Sequence, residues 1–291
     1  MFFLLLSVLC STLLGFIFKL FPRFGVDTFQ AIVFNYFTCV ACATVHQGAF
    51  PIQKSDFGEA WMPYALGLGF VFISGFNCAA LTVRHFGVTV SQIMQKMTLM
   101  LSVPFAILWY SESAGAAKIA GVALALASIV LVNWPRQKAS EAQPSARNAA
   151  FFAIPFLTWI LAAVIDIVFI RVQKEGMIQF GDVSFISTVF GTAGTLGLAY
   201  ALFGWATGRL RFSGRNVAAG ILLGIPNYGS MLFILLALGS GMEGSLFFPL
   251  NNVGIILATT FGAVLLFRER LSAINWAGIA VAVAAIVLIS V

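Results

Sequence analysis

Lys96 is the residue of this sequence best placed to do chemistry. It stands in the segment SQIMQKMT, Ser91 to Thr98, inside an apolar run that starts near Val88. A helix rising about 1.5 Å per residue carries it roughly 12 Å into that run. An ionised group in hydrocarbon costs about 2.5–3.5 kcal/mol on insertion scales, so it faces an aqueous cavity or a partner. Gln92 and Gln95 share its helical face by the i, i+3, i+4 rule. One cation would neutralise an anionic group, and two amides would hydrogen-bond it. The competing reading is structural: Lys96 bonded to backbone carbonyls, or paired with Asp166 of the sixth apolar run. Asp166 could in turn carry a proton, a role that an ion pair with Lys96 would oppose.

Further polar residues stand where lipid is expected. Pro249 precedes Asn251 and Asn252, and Pro226 precedes Asn227 and Tyr228. Proline lacks an amide proton and frees the carbonyl four residues earlier, Ser245 in the first case, so the helix can bend or offer backbone to a ligand. Pro104 places a similar kink after Lys96. Asn35, Tyr36 and Asn77 fall near the middles of the second and third runs, and Trp159 in the sixth could form an apolar wall. For the Pro-Asn pairs, ligand binding and helix packing both remain open.

Other chemistries find little to work with. Cys39 and Cys42 form a C-x-x-C, but within an apolar helix thiols act as small hydrophobes. His46 and His85 have no metal-ligand neighbour at helical spacing. With neither a metal set nor a nucleophile constellation, the reading is a protein with no catalytic residue, no metal and no cofactor.

These residues must be positioned by helices in lipid. Charged residues make up 9% of the 291 and hydrophobic ones 60%, with a mean hydropathy of +1.00; a water-soluble surface could not be built from the remainder. Polar breaks predict ten helices near 1–21, 28–47, 61–83, 88–109, 116–134, 151–171, 183–204, 217–239, 245–267 and 271–290, each long enough to cross a bilayer. Met1 to Phe21 lacks a basic start and a small-residue cleavage pattern and is read as a retained first helix. The one long polar stretch, PRQKASEAQPSARN, is a linker at 135–150 between halves at 1–134 and 151–291. Eleven of the 16 basic residues fall on one side of such a bundle and four on the other, so both termini are expected outside and the linker in the cytoplasm. The basic residues are spent on orientation, which leaves no nucleic-acid partner expected.

The two halves repeat one another. Glu112 matches Glu269 at an offset of 157, and Ala120-Gly121 matches Ala277-Gly278. Ala123, Ala125, Ala127 and Ile129-Val130-Leu131 match Ala280, Ala282, Ala284 and Ile286-Val287-Leu288. Gly67 and Gly87 match Gly224 and Gly244, and FGVDTFQAIVF from Phe24 matches FGDVSFISTVF from Phe180 at 156. Each repeat holds five crossings, an odd number, so the second half enters the membrane inverted. The expected fold is all-α and integral to the membrane: ten transmembrane helices as two inverted-topology five-helix repeats. Both glutamates precede an apolar run and are read as caps at helix starts.

On the five-plus-five arrangement and the two copies of an acidic residue, a short loop and an Ala/Gly-rich closing helix, the chain resembles the drug/metabolite transporter superfamily, EamA type. The family often shows Gly-Glu at this boundary, where Ser111-Glu112 and Arg268-Glu269 stand here. The resemblance implies alternating-access transport of a small metabolite across the bacterial inner membrane, without enzymatic activity. The substrate expected from Lys96 is anionic or zwitterionic. Lys96, Gln92, Gln95, Asn77, Asn35, Tyr36, Trp159, Asn227, Tyr228, Asn251 and Asn252 would contact it, and Asp166 would serve in proton coupling or an ion pair. The partners are a small-molecule substrate and the lipid bilayer, in a monomer or homodimer. A non-transporting scaffold or receptor, or a membrane-embedded enzyme, are the rival readings.

Overall fold

The computed structural model describes residues 1–86, 88–134, 153–267 and 271–290. The expected linker, Gly87 and Glu269 lie outside the described residues. Helix accounts for 83% of the described residues, and no strand occurs among them. The helices are α1 (Phe2–Leu20), α2 (Thr28–Gln47), α3 (Met62–Phe86), α4 (Val88–Lys96), α5 (Leu99–Tyr110), α6 (Ala116–Val132), α7 (Ala153–Lys174), α8 (Val183–Ala206), α9 (Gly214–Gly239), α10 (Gly244–Phe267) and α11 (Ala273–Ser290). Nine spans among the described residues are long and apolar enough to cross a membrane, α4 and α5 together supplying one, and α6 is a shorter apolar helix of 17 residues. Large apolar side chains lie outward along them, among them Leu108, Leu265 and Phe70. Such a surface belongs to an integral membrane protein.

The fourth span departs from expectation. It is not one helix: α4 stops at Lys96 and α5 starts at Leu99. Across the break the Met100 N–H bonds to the Met97 carbonyl (3.0 Å) and the Leu101 N–H to the Thr98 carbonyl (2.9 Å), a tighter turn than an α-helix makes. A side chain has entered the ladder: the Trp159 indole N–H donates to the Met97 carbonyl at 2.8 Å. Nothing at positions 97 and 98 breaks a helix by itself, so the interruption depends on a residue from another segment.

Two compact units share the chain, one of residues 1–73 and 168–242, the other of 74–167 and 243–291. Neither coincides with the sequence halves 1–134 and 151–291, since each draws on both.

In the first unit α2 packs against α8 and α9. A Cβ added at Gly220 would lie 2.6 Å from the Ala31 carbonyl, and one at Gly224 2.4 Å from the Thr38 Cβ, so α2 and α9 meet backbone to backbone along Gly220-x-x-x-Gly224. Asp27 caps α2 by accepting the Gln30 N–H (2.9 Å), and Asp182 caps α8 by accepting the Phe185 N–H (3.0 Å). The matched segments FGVDTF and FGDVSF therefore start their helices by the same device.

The second unit is built on α6 against α11 and α10 against α5. A Cβ at Gly121 would lie 2.6 Å from Ile289 Cγ1, and one at Gly278 would lie 2.6 Å from the Val132 amide nitrogen. The Asn275 side-chain amide, fully buried, donates to the carbonyls of Leu131, Val132 and Trp134 at 2.9–3.2 Å and so closes the end of α6.

Candidate functional site

Every polar residue singled out above falls in one unit or the other. Asn35, Tyr36, Asn227 and Tyr228 belong to the first. Asn77, Gln92, Gln95, Lys96, Trp159, Asp166, Asn251 and Asn252 belong to the second.

In the second unit the chemistry gathers at the break in the fourth span. The Lys96 ammonium, on the last residue of α4, donates to the Asn252 side-chain oxygen at 3.1 Å. Asn252 and its neighbour Asn251 are 6% and 5% exposed, on α10 just after Pro249. Asp166, on α7, lies within electrostatic reach of Lys96 and beside the Thr98 hydroxyl. The Ser102 hydroxyl is buried and has no hydrogen-bond partner among the described residues, and the Thr98 hydroxyl faces the Asp166 carboxyl. One cation, one anion, an amide and two hydroxyls thus collect around the break at Met97 and Thr98. Such groups remain costly in hydrocarbon until a ligand or water completes them.

Trp159 is placed here too, and its indole N–H donates to the Met97 carbonyl at the break. The Gln95 amide donates to the Ser91 carbonyl and hydroxyl at 3.3 and 3.2 Å, one turn back along its own helix. Gln92 and Asn77 are exposed. Thr98 and Ser102 were not among the residues expected at the site. They stand two and six residues after Lys96 and four apart, which was a signal, but hydroxyls are common in apolar helices and usually bond to the carbonyl four residues back. Thr38, Thr44 and Thr158 do so here.

In the first unit the polar residues answer one another. The Asn227 amide donates to the Asn35 side-chain oxygen at 3.1 Å, and the Cys39 thiol to the Gly224 carbonyl at 3.4 Å. Asn35 and Tyr36 are 2% and 3% exposed, and Tyr36 stacks on Phe190. The Tyr228 hydroxyl meets His46 Nδ1 at 2.6 Å, a partner that spacing could not reveal because 182 positions intervene. Among the described residues no group of three or more His, Cys, Asp or Glu could hold a metal.

Glu112 caps a helix start, that of α10. Its two carboxylate oxygens accept the N–H groups of Gly244 (3.0 Å) and Ser245 (2.8 Å), the first residues of α10. Beside it, Lys118 is bonded to Ser113, to Glu243 (2.5 Å) and to Ser245 (3.1 Å). Burial works against ionising Glu243, yet hydrogen bonds from Lys118 and Ser113 and the nearby ammonium hold its carboxyl down at about 2.

Contacts in the second unit also show reciprocity. Gly121 presses on Ile289 and Gly278 on Val132; at the offset of 157, Gly121 matches Gly278 and Val132 matches Ile289. The Lys96–Asn252 bond lies one position off that register, since an offset of 157 carries Gln95 onto Asn252.

No family model matches this chain. A protein of Haemophilus influenzae, described as uncharacterized, is 28% identical over 97% of this chain and 95% of its own length. A crystal structure described only as that of a protein superposes with a TM-score of 0.76 over 99% of this chain and 94% of that one, at 14% identity. That likeness is one of fold.

Proposed function

We propose that this chain is a secondary transporter that moves a small polar metabolite, anionic or zwitterionic, across the bacterial inner membrane by alternating access. The observation that carries the proposal is the pair of reciprocal contacts Gly121–Ile289 and Gly278–Val132, which exchange equivalent positions at the offset of 157. Contacts that exchange equivalent positions in this way are those of a local two-fold axis, as in any isologous contact. The Lys96–Asn252 bond lies one position off that register and supplies the charged group. With five crossings per half, that axis lies in the membrane plane, and each half can adopt the other's conformation to expose a central site to either face. This is the arrangement of two inverted five-helix repeats expected of an EamA-type member of the drug/metabolite transporter superfamily.

The site then lies where the axis passes, at Lys96, Asn252, Asn251, Asp166 and the broken backbone at Met97 and Thr98. The ammonium attracts the anionic group of the substrate. Asn252 positions the ammonium and exchanges its bond when substrate arrives. The charge bias of the loops supports an orientation with both termini outside.

Counterflow tests the reading. Purified protein in proteoliposomes loaded with single amino acids or organic acids should accumulate the labelled form of one of them against no imposed gradient. Binding of such a compound without counterflow would identify a receptor or scaffold instead. Net conversion of it in detergent would identify an enzyme.

A further inference from the structure

We propose that the turn between α5 and α6 is a latch on the N-terminal end of α10, with Glu112 and Lys118 as its two fastening points. This deepens the transport reading by naming what holds the site's second helix in place, and its opening can be measured without a substrate.

Glu112 is only 6% exposed. A carboxylate so buried persists because both oxygens are occupied, here by the Gly244 and Ser245 N–H groups, which a helix start leaves without intrahelical partners. The helix dipole adds attraction at that end. Glu112 reaches α10 because Ser111 turns the chain at φ +52°, a left-handed conformation that a side-chain-bearing residue adopts at a cost. Lys118, in the first turn of α6, adds a second connection through Ser113, Glu243 and Ser245. The residues held are Glu243, Gly244 and Ser245, which bring no large apolar side chain, so the fastening of this first turn is polar, ahead of the buried Phe247 and Phe248. Water can replace polar contacts as it cannot replace apolar ones, and the Glu243 side chain is already 33% exposed.

Two features turn this fastening into a device that acts on the site. Asn252 lies seven residues beyond Ser245 on α10, about 10.5 Å along a helix, and its side chain holds Lys96. Between them stands Pro249, whose missing N–H leaves the Ser245 carbonyl without its helical donor. Release of residues 243–245 therefore frees the first turn of α10 ahead of Pro249 while Phe247 and Phe248 stay packed, and it loosens the end from which α10 presents Asn252 to Lys96. Glu112 and Lys118 are positioning residues in this scheme and do not touch substrate.

The test is alkylation by N-ethylmaleimide of the full-length protein in proteoliposomes. The four native cysteines are replaced, and one is introduced as Ser245→Cys, a position with no exposure in the latched form. Lys118→Met and Glu112→Gln should each speed its alkylation about tenfold, the scale of losing a charge-assisted hydrogen bond that limits local opening. The charge exchange Lys118→Glu with Glu243→Lys should return the rate to within about twofold of the latched protein, since the pair is restored with its sign reversed. A cysteine at Ser128→Cys, buried within α6, should stay slow throughout. Unchanged rates in both single variants, no recovery on charge exchange, or equal acceleration at Ser128→Cys would each overturn the latch. Failure of counterflow with these results intact would instead overturn the transport reading alone.

Discussion

Lys96 and Asn252 share a 3.1 Å hydrogen bond across 156 positions of sequence. Each alone is a costly polar group in an apolar span, and together they satisfy one donor and one acceptor. The same ammonium also lies within electrostatic reach of Asp166, so an amide and an anion both face it.

Lys96→Met should therefore separate function from stability. Counterflow is expected to fall roughly 10–100-fold, the scale of a lost charge-assisted hydrogen bond to ligand. The thermal unfolding midpoint in detergent should fall by the cost of leaving Asn252 unpaired, about 1–3 kcal/mol, with the protein still folded. Counterflow at the original rate would remove Lys96 from the site.

The glycines aligned by the repeat should not respond alike. An alanine at Gly121 or Gly278 would place its Cβ 2.6 Å from atoms of α11 and α6 respectively, and one at Gly224 2.4 Å from Thr38. Each should cost about 1–3 kcal/mol through overpacking. At Gly67, the repeat partner of Gly224, an added Cβ would meet nothing within 4 Å, and Gly67→Ala should be neutral or slightly stabilising. Thermal unfolding of the four single variants checks the contrast.

Stability should fall in acid through Glu243. Its folded carboxyl titrates at about 2 against an ordinary value of 4.5, so the proton binds more tightly to the unfolded chain. The contribution is fully present above about 4.5 and is lost as the pH drops through about 2. Unfolding midpoints across that window should decline less steeply in Lys118→Met than in the unsubstituted protein. Parallel declines would mean that Lys118 does not hold Glu243 ionised.

Trp159→Phe should loosen the break in the fourth span. The phenyl ring keeps most of the apolar volume but cannot donate to the Met97 carbonyl. A loss of about 1 kcal/mol is expected, with faster hydrogen exchange at the amides of residues 97–102 and no change at α11. Unaltered exchange there would show that the backbone breaks without the indole.

The sequence alone determined the solvent and the spans. Lipid follows from 60% hydrophobic residues, and helix ends came within about three residues of those observed wherever a polar break marked them. Hydropathy is a property of neighbouring residues, so it can be read along the chain. The partner of each polar group is not local, and only the tertiary structure decided it. It paired Lys96 with Asn252, His46 with Tyr228, and Glu112 with the start of α10 instead of its own helix. It also broke the fourth span at a place that no proline or glycine marks, because the indole of Trp159 competes for a backbone carbonyl there. In lipid, apolar faces do not distinguish one helix neighbour from another; a few glycines and hydrogen bonds do, and their distances exist only once the chain is folded.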